Sequence, residues 1–226
     1  MIPVIIGVSF LVFFIMDLAP GDAVDILAPE GATAEDLEAI RHDLGLDQPV
    51  IVRYVKYMGG MLHGDMGVSY VSKTDVFDTY MEKLPATIKL SFASILVSIL
   101  LSVPLGIYSA TRQGTVQDNI SMIVAMIGLS MPNFWLGLLL IIVFSLNLGW
   151  FPSGGDQTLS SIVLPAITIG TGLMATLTRT TRSSMLDVLK QEYLRTARAK
   201  GIPEKIVITS HALRNALIPI ITIIGT

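Results

Sequence analysis

The sequence predicts an all-α polytopic membrane protein, and three observations carry that prediction. Of its 226 residues, 52% are hydrophobic and only 15% charged, and mean hydropathy is +0.67. That balance lies far from the average of a soluble domain. Apolar stretches close to the ~20 residues that cross a bilayer recur along the chain. The charges are also segregated: residues 17–83 hold thirteen of the eighteen acidic groups, and residues 179–214 hold eight of the fifteen basic ones. Opposite membrane faces produce this asymmetry under the positive-inside rule. Cysteine is absent, so the chain offers neither a disulfide framework nor a thiolate metal site.

Ile2 to Leu18 is apolar and lacks a basic lead, and no Ala-x-Ala-like site follows it. It reads as a first membrane helix rather than a signal peptide. The run Asp17-Leu18-Ala19-Pro20-Gly21-Asp22 breaks it at a polar edge. Asp17 is either an interfacial cap or an acid within the membrane.

Residues 20–84 read as an extracytoplasmic segment, and 1–84 as a first region. Thr33 and Asp36 form a capping-box pattern, and the helix they open stops at Gly45. Asp47 and Pro49 start another helix, with Ile51, Tyr54, Val55, Met58 and Leu62 on one face. Gly64-Asp65-Met66-Gly67 is a turn. This segment is either a docking surface or an amphipathic flap on the protein's own outer face.

Residues 85–226 hold the remaining spans. Pro85 to Ala110 is the second, with Lys89 able to snorkel to the headgroups and Pro104 able to kink it. Thr111 to Thr115 is a short inner loop. Ile120 to Leu148 is the third span, interrupted at Ser130-Met131-Pro132-Asn133. The interruption either frees backbone carbonyls into a cavity, as broken membrane helices do, or is a packing kink. Ser130, Pro132 and Asn133 are therefore the candidates for a solute path. Trp135 and Trp150 suit interface anchors. Ile162 to Leu177 is the fourth span, with Gly170, Gly172 and Ala175 allowing close packing. A fifth starts near Leu217.

Between the fourth and fifth spans lies a charged loop, residues 182–214. Met185, Leu189, Tyr193 and Ala197 recur every four residues and predict one helical face, with Ser183 and Ser184 as possible N-caps. Gly201 stops the helix, because glycine takes the left-handed C-terminal position at no steric cost. Pro203 and Glu204 suit the start of a second helix. A plain connector needs only a few residues, and an amphipathic face of this length calls for something to pack against.

The run Arg195-Thr196-Ala197-Arg198-Ala199-Lys200-Gly201 resembles the EAA loop of ABC-importer permeases. Arg195 stands at the Glu position, Thr196 and Ala197 at the two Ala positions, and Gly201 at the Gly. His211 and Leu213 stand at the later Ile and Leu, and Arg214 replaces the Pro. These departures are the usual form in the first permease of the dipeptide/oligopeptide/nickel branch. That pattern is matched by Glu192-Tyr193, Arg195 to Gly201, His211 to Ala216 and Pro219. Leu44 to Pro49, Gly64 to Tyr70, Ser130 to Gly137 and Leu148 to Pro152 resemble the branch as well.

The resemblance implies the type I ABC importer transmembrane fold with about five of six helices present, both ends of the parent protein lying outside this sequence. It implies a loop that docks on an ATPase subunit through Arg195, Thr196, Ala197, Arg198, Gly201, Ile202, Pro203, Glu204, His211, Leu213 and Arg214. It further implies a second homologous permease, two ABC ATPase subunits, an extracytoplasmic substrate-binding protein and a multi-pass place in a prokaryotic cell membrane.

The chemistry of the chain itself is sparse. His42, His63 and His211 form no H-E-x-x-H pair, and neither a G-x-S-x-G elbow nor a phosphate-binding glycine loop is present. No catalytic residue, metal or cofactor is expected, and ATP hydrolysis belongs to partner subunits. The basic loop lacks the aromatic interleaving of a nucleic-acid surface. The competing readings are an ion-coupled secondary transporter and a scaffold without transport. The first calls for ionisable residues at mid-membrane, and residues 90–109, 122–145 and 163–177 contain none.

Overall fold

The computed structural model describes residues 1–18, 24, 27–29, 32–155 and 158–225. Residues 19–22 of the expected break after Asp17, and Thr226, lie outside them. The described residues are helical apart from turns and one isolated β-bridge, Val68 to Asp75. They form two compact units, Met1–Pro85 and Ala86–Thr226.

In the first unit, α1 (Ile2–Asp17), α2 (Ala34–Asp43) and α3 (Val50–Leu62) follow the sequence signals closely. The Thr33 hydroxyl accepts from the Asp36 amide, and the Asp36 carboxylate accepts from the Thr33 amide at 2.9 Å, which completes the capping box. Gly45 takes φ +66° just past the end of α2. Tyr54 joins α3 to α1: its hydroxyl lies 2.7 Å from Ser9 Oγ, and its ring meets Phe10 edge-on at 5.1 Å. Asp17 is ion-paired with Arg53, so it ties α1 to α3 rather than standing alone. The expected face of α3 is corrected. Tyr54 is buried and Met58 half-buried, but Ile51, Val55 and Leu62 are exposed, because the contact with α1 runs through Arg53, Tyr54 and Tyr57.

His42 Nδ1 sits 2.8 Å from the Asp47 carboxylate, and that hydrogen bond raises the imidazole above its ordinary value. A raised folded-state pKa stabilises the protonated form. The contribution is complete below the ordinary histidine pKa and disappears as pH rises through the folded value. In an NMR titration His42 should titrate above the ordinary histidine range, and Asp47→Asn should bring it back down.

The second unit is built on the part of α4 (Val76–Thr111) from Ala86 onward, α5 (Val116–Ser130), α6 (Asn133–Leu140, continued by a π-helix Ile141–Asn147) and α7 (Val163–Leu189, entered by a 3-10 turn Leu159–Ile162). It ends with α8 (Glu192–Ala199) and α9 (Glu204–Ile224). Among the described residues, three helices are long and apolar enough to cross a membrane: Val76–Thr111, Leu159–Leu189 and Glu204–Ile224. The α5–α6 pair is a fourth candidate if taken as one bent span. α1 is apolar but shorter.

α4 begins nine residues before the expected Pro85, whereas α9 begins at Glu204, where the sequence places the start of a second helix, and runs on into the fifth span. At ~1.5 Å per residue, α4 reaches about 54 Å, well beyond the ~30 Å hydrocarbon core. Hydropathy marks where a helix meets lipid. It does not mark where the backbone ladder stops.

The break between α5 and α6 is sharp, 99°. Met131 is extended (ψ 129°) because the following proline disfavours the helical region for the residue before it. Pro132 then caps α6, whose first turn it starts without needing an N–H.

α4 and α7 pack through small residues. Ser94, Ser98, Ser102, Gly106 and Ala110 recur every four residues and all are buried. At Gly170 a Cβ would lie 2.7 Å from the Ser94 carbonyl oxygen. At Gly106 it would lie 2.6 Å from Thr181 Cβ and 2.8 Å from the Thr178 carbonyl oxygen. Without a hydrophobic drive between helices in lipid, such close backbone approach supplies the attraction. Gly106→Val should therefore cost about 1–3 kcal/mol or more by overpacking. Thermal unfolding in detergent measures it, and an unchanged midpoint would mean the α4–α7 seam is not this tight.

Candidate functional site

The loop between α7 and α9 is a folded substructure with its own core. α7 runs past the apolar stretch without interruption to Leu189, so Ser183 and Ser184 are interior residues and not N-caps; Ser184 is buried. The stripe from Met185 to Ala197 spans two helices. α7 stops at Leu189, Lys190 and Gln191 turn the chain, and α8 begins at Glu192. Of that stripe Met185 and Ala197 are buried and Leu189 half-buried in one place, whereas Tyr193 is exposed and uses its hydroxyl instead.

That place is a cluster of Ala110, Met185, Leu194, Ala197, Val207, Ala212 and Ala216, with Ile107, Leu186, Leu189, Ile202, Ile208 and Leu213 packed around it. Met185, Leu194 and Val207 are fully buried. The apolar face of the loop thus packs on its own base. The surface left exposed is largely polar, with Tyr193 and Ile206 as its large apolar side chains.

α8 ends in a Schellman motif. The Ile202 amide donates to the Ala197 carbonyl (3.3 Å) and the Gly201 amide to the Arg198 carbonyl (2.9 Å). Gly201 takes φ +75°, as its sequence position predicts. Pro203 caps α9 rather than entering its first turn. Arg198 reaches back across the turn and grips Glu204 with Nε (3.1 Å) and Nη2 (2.9 Å). The hydrogen bond to Glu204 raises the guanidinium above its ordinary value, so Arg198 stays charged. Both groups are partly exposed, and such a pair contributes at most about 1 kcal/mol. Tyr193 closes the other side: its hydroxyl donates to the His211 carbonyl (3.3 Å) and accepts from Asn215 Nδ2 (2.7 Å).

The predicted residues divide by position. Arg195, Thr196, Arg198, Gly201, Pro203, Glu204 and Arg214 are exposed. Ile202, His211 and Leu213 are half-buried, and Ala197 is buried in the cluster. Arg195 pairs with Glu192 at 2.9 Å, both side chains largely in solvent. A depression of about 420 Å³ separates the loop from the inner turn, with Arg112, Lys190, Arg198 and Glu204 on its walls. Ser130, Pro132 and Asn133 gather at the α5–α6 break and are exposed. Ser130 Oγ donates to the Met126 carbonyl, and Asn133 Oδ1 lies 3.8 Å from where a Gly172 Cβ would stand.

One group at this end was not singled out from the sequence. Asp118, three residues after Thr115, is 3% exposed and bound by Arg182 of α7 through two hydrogen bonds. The Thr115-x-x-Asp118 spacing was the available signal. The Thr115 hydroxyl does accept from the Asp118 amide at 3.4 Å. Nothing local announces Arg182, sixty-four residues away, as its partner.

Long apolar helices that carry a cationic, self-packed loop define a polytopic membrane protein. The family described as "Binding-protein-dependent transport system inner membrane component" matches residues 102–226, and its N-terminal companion matches residues 1–91. The chain is 44% identical, over 99% of its length and 74% of the relative's, to the oligopeptide transport system permease protein AppB of Bacillus subtilis (strain 168). It is 39% identical, over its whole length and 74% of the relative's, to the glutathione transport system permease protein GsiC of Escherichia coli (strain K12). A putative peptide transport system permease protein of Brucella abortus is also 39% identical, over 99% of this chain and 74% of its own. The chain belongs to the binding-protein-dependent transport system inner membrane component family. It is a multi-pass membrane permease subunit of an ABC importer, with the type I ABC importer membrane fold.

Proposed function

We propose that this permease couples ATP hydrolysis by two separate ABC ATPase subunits to import of di- or oligopeptides or a related small solute such as glutathione. The names of its relatives support that solute class. A second homologous permease completes the path, a substrate-binding protein delivers solute from outside, and the membrane is that of a prokaryotic cell. Residues 182–214 contact the ATPase subunit, and 85–226 carry the transport core. The observation that carries this reading is the capped α8–Gly201–α9 turn, which presents Arg195, Thr196, Arg198, Pro203 and Glu204 outward from a buried base.

The proposed mechanism is alternating access. Closure of the ATPase subunits displaces α8, and α7 and α9, which share its core, move with it. The loop can shift the permease only as far as its partner binds the two states differently.

The test is co-purification from detergent of the permease with the proposed ABC ATPase subunits. Recovery that depends on an intact loop supports the proposal, and no recovery under any nucleotide condition refutes it. In the same assay Arg195→Glu with Arg198→Glu should weaken recovery, the more so at low salt, where exposed charges are least screened. Unchanged recovery would assign the two arginines to membrane topology alone.

A further inference from the structure

We infer that Asp118 and Arg182 are positioning residues that transmit movement of the 182–214 loop to α5, the first half of the broken helix. The inference rests on the coupling role proposed for the loop.

Asp118 uses both carboxylate oxygens fully. Oδ1 accepts from Arg182 Nε (2.8 Å) and from Ser109 Oγ. Oδ2 accepts from Arg182 Nη2 (2.6 Å) and from the Gly114 amide (3.0 Å). One carboxylate thereby joins the last turn of α4, the glycine turn after it, the first turn of α5 and α7. Four donors on one carboxylate exhaust its acceptor sites, and the guanidinium fork fixes orientation as well as distance.

The placement turns this joint into a lever arm. Met185 lies one turn beyond Arg182 on the same helix and is the buried centre of the loop's core. Gly106 and Thr181 leave no room between α4 and α7 just below it. On the other side, α5 continues from Asp118 along α7, with Gly128 close enough for a Cβ to lie 3.1 Å from the Thr171 carbonyl oxygen, and ends at the Met131–Pro132 break. A shift of α7 is passed to α5 at its base through a charged, directional joint, and at its far end through close packing. A salt bridge that merely set topology needs neither burial nor the Ser109 and Gly114 donors.

The assembled transporter, with its ATPase subunits and binding protein, tests this in lipid nanodiscs. Asp118→Asn removes the charge and keeps the shape; Arg182→Lys keeps the charge and removes the fork. Each should lower solute transported per ATP hydrolysed by about tenfold while the complex still assembles and hydrolyses ATP. Unchanged transport per ATP in an assembled complex overturns the inference. Should either variant fail to assemble, the native pair is tested directly. Cysteines at Ile123 on α5 and Ser210 on α9 carry spin labels, in a chain that has no cysteine of its own. Their distance should stay the same between nucleotide-free and ATP-bound states while α5 and the loop move as one body. A distance that changes with nucleotide state overturns the joint. Failure of the coupling reading is seen separately, as absence of ATPase recovery with the native pair intact.

Discussion

Gly201→Val should abolish transport while leaving membrane insertion and ATP hydrolysis by the partner subunits in place. The reason is local. Gly201 holds φ +75°, and open space surrounds the position where its Cβ would stand, so the cost of a side chain there is purely conformational. A left-handed backbone costs an L-residue roughly 1–2 kcal/mol, and more for a β-branched one. The cheapest escape is to unwind the Schellman turn, which releases the Ile202–Ala197 and Gly201–Arg198 hydrogen bonds and misdirects Pro203 and Glu204. Gly201→Asn, which tolerates the left-handed region, should retain most transport. Transport and ATPase rates in reconstituted complexes decide the matter. Normal transport per ATP in the valine variant would show that the turn's geometry is not what the partner reads.

Leu194→Ala should have the next largest effect, and by a different route. Leu194 is fully buried in the apolar cluster that joins α8 to its base, among Met185, Ala197, Val207 and Ala212. Truncating a buried leucine costs about 2–5 kcal/mol. Here that cost falls on an eight-residue helix with little stability of its own. The expected result is local melting, with trypsin cutting at Arg195, Arg198 and Lys200 in membranes where the native loop resists, and loss of ATPase recovery together with the helix. Tyr193→Phe, which removes only the bonds to His211 and Asn215, should cost about 1 kcal/mol and leave the loop protected. Native-like protease resistance in Leu194→Ala would mean that the buried cluster does not hold α8.

The sequence by itself determined the class of the protein, the stop at Gly201, the capping box at Thr33 and the interruption at Pro132. Each rests on a signal contained within a few residues. Glycine is the residue that occupies φ +75° freely, proline removes its own N–H and restricts its predecessor, and hydropathy is a sum over a window. The family motif from Glu192 to Pro219 was legible for the same reason: its residues are close in the chain.

Only the tertiary structure decided where the apolar face of the loop goes. The stripe Met185, Leu189, Tyr193 and Ala197 reads as one helix, and as a surface for another protein. It is two helices folded onto Val207, Ala212 and Ala216, because an amphipathic face buries against whatever apolar surface the chain first brings to it, and α9 brings one. Tertiary structure also decided the meaning of the α4 stripe from Ser94 to Ala110, whose period is visible in the sequence but whose partner is not. The pairing of Asp118 with Arg182 is the clearest case. Each is an ordinary charged residue near a helix end when read alone. Placed together across sixty-four residues, with Asp118 buried and Arg182 half-buried, they become a fixed joint. Whether attraction outweighs desolvation in an ion pair depends on geometry and burial, and both are properties of the folded chain.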